Sequence, residues 1–283
     1  MTEVFTTLAS LSVLVFVIGS MASMGLSLEF KSITSSLKNT RLVIMALVSN
    51  FILVPLVAYV ITLLFPLDEP LRIGLILLST AAGAPFLPKL AEVSKGNTAF
   101  SVGLMVLLMV VTVIYLPIVL PLLLSGVAVN PWDIAQSLIL LMLLPLALGL
   151  LINARYQEMA DRLQPVFSQA SSTALMLLLV LGLVLNFREM ISLVGSFGIL
   201  AAVLFLLASL GFGYLLGGSD EQTKNVMGLG TAQRNIAAAL VVAGQNFDTD
   251  VITYLMVVAI LALFILMPVA GELGKRHRQM SDK

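Results

Sequence analysis

Nine long apolar runs separated by short polar loops constrain this chain more than any other feature. They lie at 8–28, 41–65, 71–94, 98–125, 133–154, 165–187, 191–217, 223–245 and 250–272. A helix needs about 20 apolar residues to cross a hydrocarbon core of ~30 Å, and each run reaches that length. The period-two alternation of a membrane β-barrel is absent. In lipid a span must satisfy its own backbone polar groups, so helices are the spanning element. The expectation is an all-α polytopic membrane protein of about nine transmembrane helices, one transporter domain over 1–283 with a cytoplasmic tail at 273–283. Composition agrees. Only 11% of residues are charged, against roughly 25% in a soluble domain, too few for a globule to cover itself with polar groups.

The first run, Leu8–Leu28, follows no basic flank and exceeds an ordinary signal-peptide core, so it reads as a retained span. Cys is absent, which excludes disulfides and thiolate metal or redox chemistry. A formal net charge of zero offers no basic surface to nucleic acid.

Lys31, Lys38 and Arg41 fall in the first loop, Lys95 in the third, Arg155 and Arg162 in the fifth, and Lys224 in the seventh. Lys275, Arg276, Arg278 and Lys283 crowd the tail, while the even loops hold only Arg72 and Arg188. Cations accumulate on the cytoplasmic side. This predicts a multi-pass protein with its N-terminus outside and its C-terminus cytoplasmic; the membrane expected is a bacterial inner (plasma) membrane.

Two runs make poor continuous helices. The third carries Ala81-Ala-Gly-Ala-Pro-Phe-Leu-Pro-Lys89, with Gly83, Pro85 and Pro88 as breaking residues. The eighth carries Gly228-Leu-Gly-Thr-Ala-Gln-Arg-Asn235, with Gly228 and Gly230 as breakers. Interrupted helices at matching positions of two halves point to a transporter's binding site. Runs two to four and seven to nine then read as two inverted repeats, each with a broken helix. Together they form a core of 41–125 and 191–272 beside a panel of 8–28, 133–154 and 165–187.

Both breaks carry a cation. Arg234 sits about 11 residues, or ~16 Å, from either end of its run, beyond easy reach of an interface. Charge at the bilayer centre costs at least ~3 kcal/mol, so such residues face a cavity and serve function. Two uses fit Arg234: contact with substrate, or a structural guanidinium tying down carbonyls freed by the breaks. Lys89 lies nearer the cytoplasmic end, where it either joins the site, snorkels or pairs with Glu92 one turn later. Thr231, Gln233 and Asn235 cluster at the second break. Asn50, Ser79, Thr80, Ser101 and Thr112 are isolated polar residues within spans, and Ser and Thr so placed often bond their own helix. Gly213-x-x-x-Gly217 and Gly19-x-x-x-Ser23 read as close helix-packing contacts.

These residues resemble the bile acid:sodium symporter family, within the wider group that includes arsenite exporters and auxin-carrier-like proteins. The resemblance rests on Met24-Gly-Leu-Ser-Leu28, on the broken third run leading into Gly96-Asn97-Thr-Ala-Phe-Ser101, and on Arg234-Asn235 followed by Ile236-Ala-Ala-Ala-Leu-Val-Val-Ala243. It implies a core with two crossing broken helices, a panel domain, and sodium held at the crossing. It also implies sodium ligands that are largely missing. Leu87 and Pro88 stand where a Ser-Asn pair is implied, Met105 where a Thr is, Gly230 where a Glu is, and Arg234 where a Gln is. Ser101 and Asn235 match, and Asn97 lies within the shared motif.

The site residues expected are therefore Arg234, Asn235, Gln233, Thr231, Pro88, Lys89, Ser101 and Asn97. Sodium is possible but has lost most of its ligands, and no other cofactor is implied. We expect a secondary transporter that moves a small or amphipathic organic anion by alternating access. The rival readings are a sodium-coupled symporter with a rearranged ion site, and a non-transporting sensor or structural protein. Arsenite export is disfavoured by the missing cysteine. An enzyme is disfavoured because there is no metal-ligand set or paired intramembrane carboxylate.

Overall fold

A computed structural model of the chain describes residues 2–29, 38–124, 130–185 and 196–281, and among these it contains helices and no strand. Lys31, Arg188 and Lys283, three of the cations used above to assign sidedness, lie outside the described residues. In chain order the helices are α1 (Thr2–Ser27), α2 (Thr40–Leu64), α3 (Glu69–Thr80), α4 (Leu87–Val93) and α5 (Thr98–Leu123). There follow α6 (Pro131–Arg155), α7 (Gln157–Leu185), α8 (Gly198–Leu216), α9 (Glu221–Ala232), α10 (Ile236–Asn246) and α11 (Thr249–Ser281).

Among the described residues, seven helical stretches are long and apolar enough to cross a membrane: Thr7–Ser27 of α1, α2, α5, α6, α8, α9 with α10, and α11 to His277. Run 71–94 is not among them, because it is divided into twelve-residue α3 and seven-residue α4. Run 165–187 begins inside α7 and ends beyond the last residue described there. Leu64, Leu122, Leu215 and Phe264 are 71–77% exposed on the outside of the bundle. Apolar exposure on that scale is what lipid, not water, accommodates.

Packing sorts the helices. α1 lies along α7 and α6, which also touch each other. α2, α3, α5, α8, α9, α10 and α11 form the other network, with α4 wedged between α5, α9 and α11. The two groups meet where α10 touches α1 and α6, α5 touches α6, and α7 touches α11. The pair α9–α10 is the centre of the molecule: its span is 89% buried, against 33–50% for the other six.

Local sequence explains the irregularities that matter. A π turn at Ser49–Leu53 interrupts α2, with the Val54 N–H reaching back five residues to the Ser49 carbonyl. Pro55 has no N–H, so the Phe51 carbonyl loses its helical donor; the Tyr115 hydroxyl of α5 donates to it instead, at 2.6 Å. Such single π turns recur at functional sites because they re-aim side chains. Close approach of α8 to α9 rests on Gly213 and Gly217, where an added Cβ would fall 2.3 Å from the Met227 carbonyl oxygen and 2.6 Å from the Lys224 Cα.

Candidate functional site

The polypeptide unwinds at residues 81–86, between α3 and α4, and at 233–235, between α9 and α10. Gly83 requires the first interruption. Its φ is +82°, and a Cβ there would lie 2.3 Å from the Met109 nitrogen of α5. Pro88 sits in the first turn of α4, where a missing N–H costs nothing. The second interruption differs from the sequence expectation in one respect. Gly228 and Gly230 are not at the break but inside α9, and the chain unwinds only after Ala232. They serve packing: a Cβ on Gly230 would fall 2.8 Å from a Leu87 methyl, and one on Gly228 3.2 Å from Tyr214 Cβ.

The two breaks meet. The Asn235 N–H donates to the Ala81 carbonyl at 2.9 Å, and its side-chain amide donates to Gly83 at 2.9 Å and Ala82 at 3.4 Å. The same side chain caps α10 by accepting the Ala238 N–H at 3.0 Å. From α5, Thr112 clamps the other side of Ala82. Its hydroxyl accepts from the Ala82 N–H at 2.9 Å and donates to the Ala82 carbonyl at 3.0 Å. Unwound backbone inside a membrane must find such partners.

Arg234 lies at the centre of this crossing, 2% exposed. Its Nε donates to the Leu78 carbonyl at 3.0 Å and its Nη2 to the Ser79 carbonyl at 2.8 Å. Nη1 donates to Asn50 Oδ1 at 2.7 Å and to the Thr231 carbonyl at 3.1 Å. Leu78 and Ser79 belong to the last turn of α3 and Thr231 to the last turn of α9, where helices leave carbonyls short of intrahelical donors; the Leu78 carbonyl also takes the Ala81 N–H at 3.2 Å. Each helix end carries about half a negative charge. The two ends together thus supply about one unit of negative potential against the guanidinium, and no carboxylate is among its partners. Asn50 is fixed in turn: its amide donates to the Ala46 carbonyl at 3.0 Å and to Thr231 Oγ1 at 3.2 Å. Ser49 joins through a 3.3 Å contact with Thr231 Oγ1.

The expected site residues separate accordingly. Thr231, Arg234 and Asn235 converge on the crossing, with Gln233 half-buried at the end of α9. No hydrogen bond holds the Gln233 side chain among the described residues. Lys89 is elsewhere: its ammonium pairs with Glu92 at 2.9 Å, both side chains more than half exposed. Asn97 caps α5 by accepting the Phe100 N–H at 2.9 Å, and Ser101 back-bonds to the Thr98 carbonyl at 2.7 Å. Ser101 stands eleven residues, or ~16 Å along α5, from the Thr112 clamp, and Asn97 fifteen, or ~22 Å. Asn50, Ser49 and Thr112 were absent from the expected set. The backbone carbonyls of 78, 79 and 231 have no side-chain signature at all.

A family model described as Sodium Bile acid symporter family matches residues 13–193, which include the first break and end before the second. A rice (Oryza sativa subsp. japonica) protein named probable sodium/metabolite cotransporter BASS2, chloroplastic, is 25% identical over 248 residues, 86% of this chain and 59% of its own length. Arabidopsis thaliana BASS3, named likewise, is 24% identical over 80% of this chain and 54% of its own length. Arabidopsis thaliana BASS1 is 22% identical over 93% of this chain and 67% of the relative. The chain thus spans a little over half the length of the first two of these relatives. With helices apolar enough to cross a membrane and a family match over most of its length, the chain belongs to the sodium bile acid symporter family, a family of membrane transporters and not of enzymes.

Proposed function

We propose that this protein is a secondary transporter that carries a small or amphipathic organic anion by alternating access, without sodium as its coupling ion. The observation that carries the reading is the crossing at Arg234, where two interrupted helices meet around a fixed cation. In this reading there are nine spans: the seven stretches counted above, the divided α3–α4 and the run within α7. Runs two to four and seven to nine are inverted repeats forming a mobile core, and α1, α6 and α7 form the panel. The N-terminus is outside and the C-terminus in the cytoplasm. The separate packing of α1, α6 and α7 supports that division.

The substrate class follows from charge. With the carboxyl ends of α3 and α9 balanced by Arg234, the amino end of α10 remains electropositive beside the half-buried Gln233. Substrate contact is assigned to the Gln233 side chain in the field of that helix end, since the donors of Arg234 and the N–H groups of Asn235, Ile236 and Ala238 already point at protein oxygens. The family description, which names bile acid, supports an organic anion.

Sodium fits the residues poorly. It needs several oxygen ligands, and the Leu78, Ser79, Thr231 and Asn50 oxygens all accept from the guanidinium. At the positions where the resemblance implies a Ser and a Glu, Leu87 packs on Gly230 instead, and Leu87 is 1% exposed. An aliphatic side chain fills that space. Against this stand the relatives' names, probable sodium/metabolite cotransporters, which favour a sodium-coupled symporter with a rearranged ion site. Uptake of radiolabelled organic anions into proteoliposomes decides. The expected result is undiminished uptake when choline replaces sodium; uptake that collapses in choline returns the protein to the sodium-coupled reading.

A further inference from the structure

We propose that Arg234 is a tethered cation: its guanidinium fills a four-oxygen cage that would otherwise take a free monovalent cation. The cage consists of the Leu78 and Ser79 carbonyls, the Thr231 carbonyl and Asn50 Oδ1, at 2.7–3.1 Å from the guanidinium nitrogens. Three of these oxygens lie in the last turns of α3 and α9, so the cage is negative before any ligand enters. The ion pairs among the described residues, Lys89–Glu92, Lys224–Glu221 and Arg276–Glu272, all lie away from the cage and reach the surface. Nothing else described there offers positive charge to the oxygens.

Removal of the side chain would leave the Ser79 and Thr231 carbonyls and Asn50 Oδ1 without a donor around a guanidinium-sized buried space, with the Leu78 carbonyl keeping only the Ala81 N–H at 3.2 Å. Unpaired acceptors buried this way are unfavourable, and a cation is the ligand that such a set of oxygens favours. Asn50 supports the assignment independently. It is fully buried, belongs to a π turn, and its amide is fixed by Ala46 and Thr231 so that only its carbonyl oxygen faces the cage. A covalently attached cation cannot dissociate, so the crossing stays neutralised in every state of a transport cycle. This deepens the sodium-independent reading above, but it stands on the cage itself and is tested without transport.

The test is thermal unfolding of the purified full chain in detergent at constant ionic strength, in choline chloride or with sodium, potassium or methylguanidinium chloride replacing it. The wild-type melting temperature is expected to be the same in choline and sodium. Arg234→Ala is expected to melt lower in choline and to recover saturably with methylguanidinium or sodium. The rise should be about 5 °C at roughly a hundredfold excess over the dissociation constant. A folded Arg234→Ala protein that does not distinguish either cation from choline overturns the proposal. Saturable stabilisation of the wild type by sodium overturns it as well, and that arm needs no variant. Where Arg234→Ala fails to fold, Arg234→Lys is expected to fold, melt lower than wild type and ignore sodium; sodium stabilisation of the Lys variant also counts against the cage being filled. Absence of anion uptake in proteoliposomes, with these results standing, sinks only the transport reading.

Discussion

A guanidinium held almost wholly by main-chain carbonyls depends on backbone geometry more than on any partner side chain. Arg234→Ala strands three acceptors and leaves the Leu78 carbonyl with the Ala81 N–H alone, and a loss of about 3–5 kcal/mol in stability is expected in sodium-free buffer, read by denaturation in detergent. Asn50→Leu keeps the bulk but removes one acceptor of the guanidinium and one donor to Thr231, so about 1–3 kcal/mol is expected. Gln233→Ala should behave oppositely. Its side chain is half-buried and unheld among the described residues, so stability should change by no more than about 0.5 kcal/mol while uptake falls. Equal losses of stability in all three variants would show that Gln233 is structural too. Sequence made Arg234 visible because a cation in mid-span has few innocent explanations. It could not show the partners, since a carbonyl has no letter and Asn50 lies 184 positions away along the chain.

At the scale of elements, the breaks are decided by a few residues. Gly83→Ala faces both a left-handed φ and the backbone of α5 at 2.3 Å, and should cost more than 3 kcal/mol or abolish folding. Gly244→Ala in α10 meets nothing within 4 Å and should stabilise by about 0.5–1 kcal/mol; the pair of melting temperatures checks the contrast. The start of α9 carries a further prediction. Asp220 caps it, accepting from the Thr223 N–H at 2.9 Å and the Thr223 hydroxyl at 2.6 Å. The Thr223 hydroxyl bond is the largest reason its carboxyl is held below the usual aspartate range. A depressed pKa adds stability above the unfolded-state value, lost as pH falls through the folded-state value. Asp220→Ala should therefore cost about 1 kcal/mol at neutral pH and progressively less below pH ~4, as unfolding at several pH values would show. Prolines and glycines made the first interruption legible. The second was placed too early, at Gly228 and Gly230, because glycines that admit a neighbouring helix look the same in sequence as glycines that end one. Lys89 and Asn97, both expected at the site, instead follow local patterns, an ion pair three residues on and an amino-terminal cap, satisfied without reference to the crossing.

For the whole molecule, alternating access requires α10 to move against α6 and α1, the panel side of its contacts. Among the described residues, one polar bond spans that boundary, from the Ser137 hydroxyl of α6 to the Gln245 side chain of α10. It lines a cleft of about 340 Å³ with Asp133, Gln136, Leu140 and Leu141. Under the proposed topology this cleft and the bond lie on the outer side of the boundary. The absence of cysteine in the chain gives a clean background for testing it. Ser137→Cys with Gln245→Cys, joined by a short bis-methanethiosulfonate linker, should cut uptake at least tenfold, and reductant should restore it. Each single variant treated with the linker should transport as well as before. Relative motion of two packed groups is a μs–ms event that a short covalent bridge stops outright. A cross-linked pair that still transports at the untreated rate would mean that α6 and α10 travel together, and the boundary between moving core and fixed panel would have to be redrawn elsewhere.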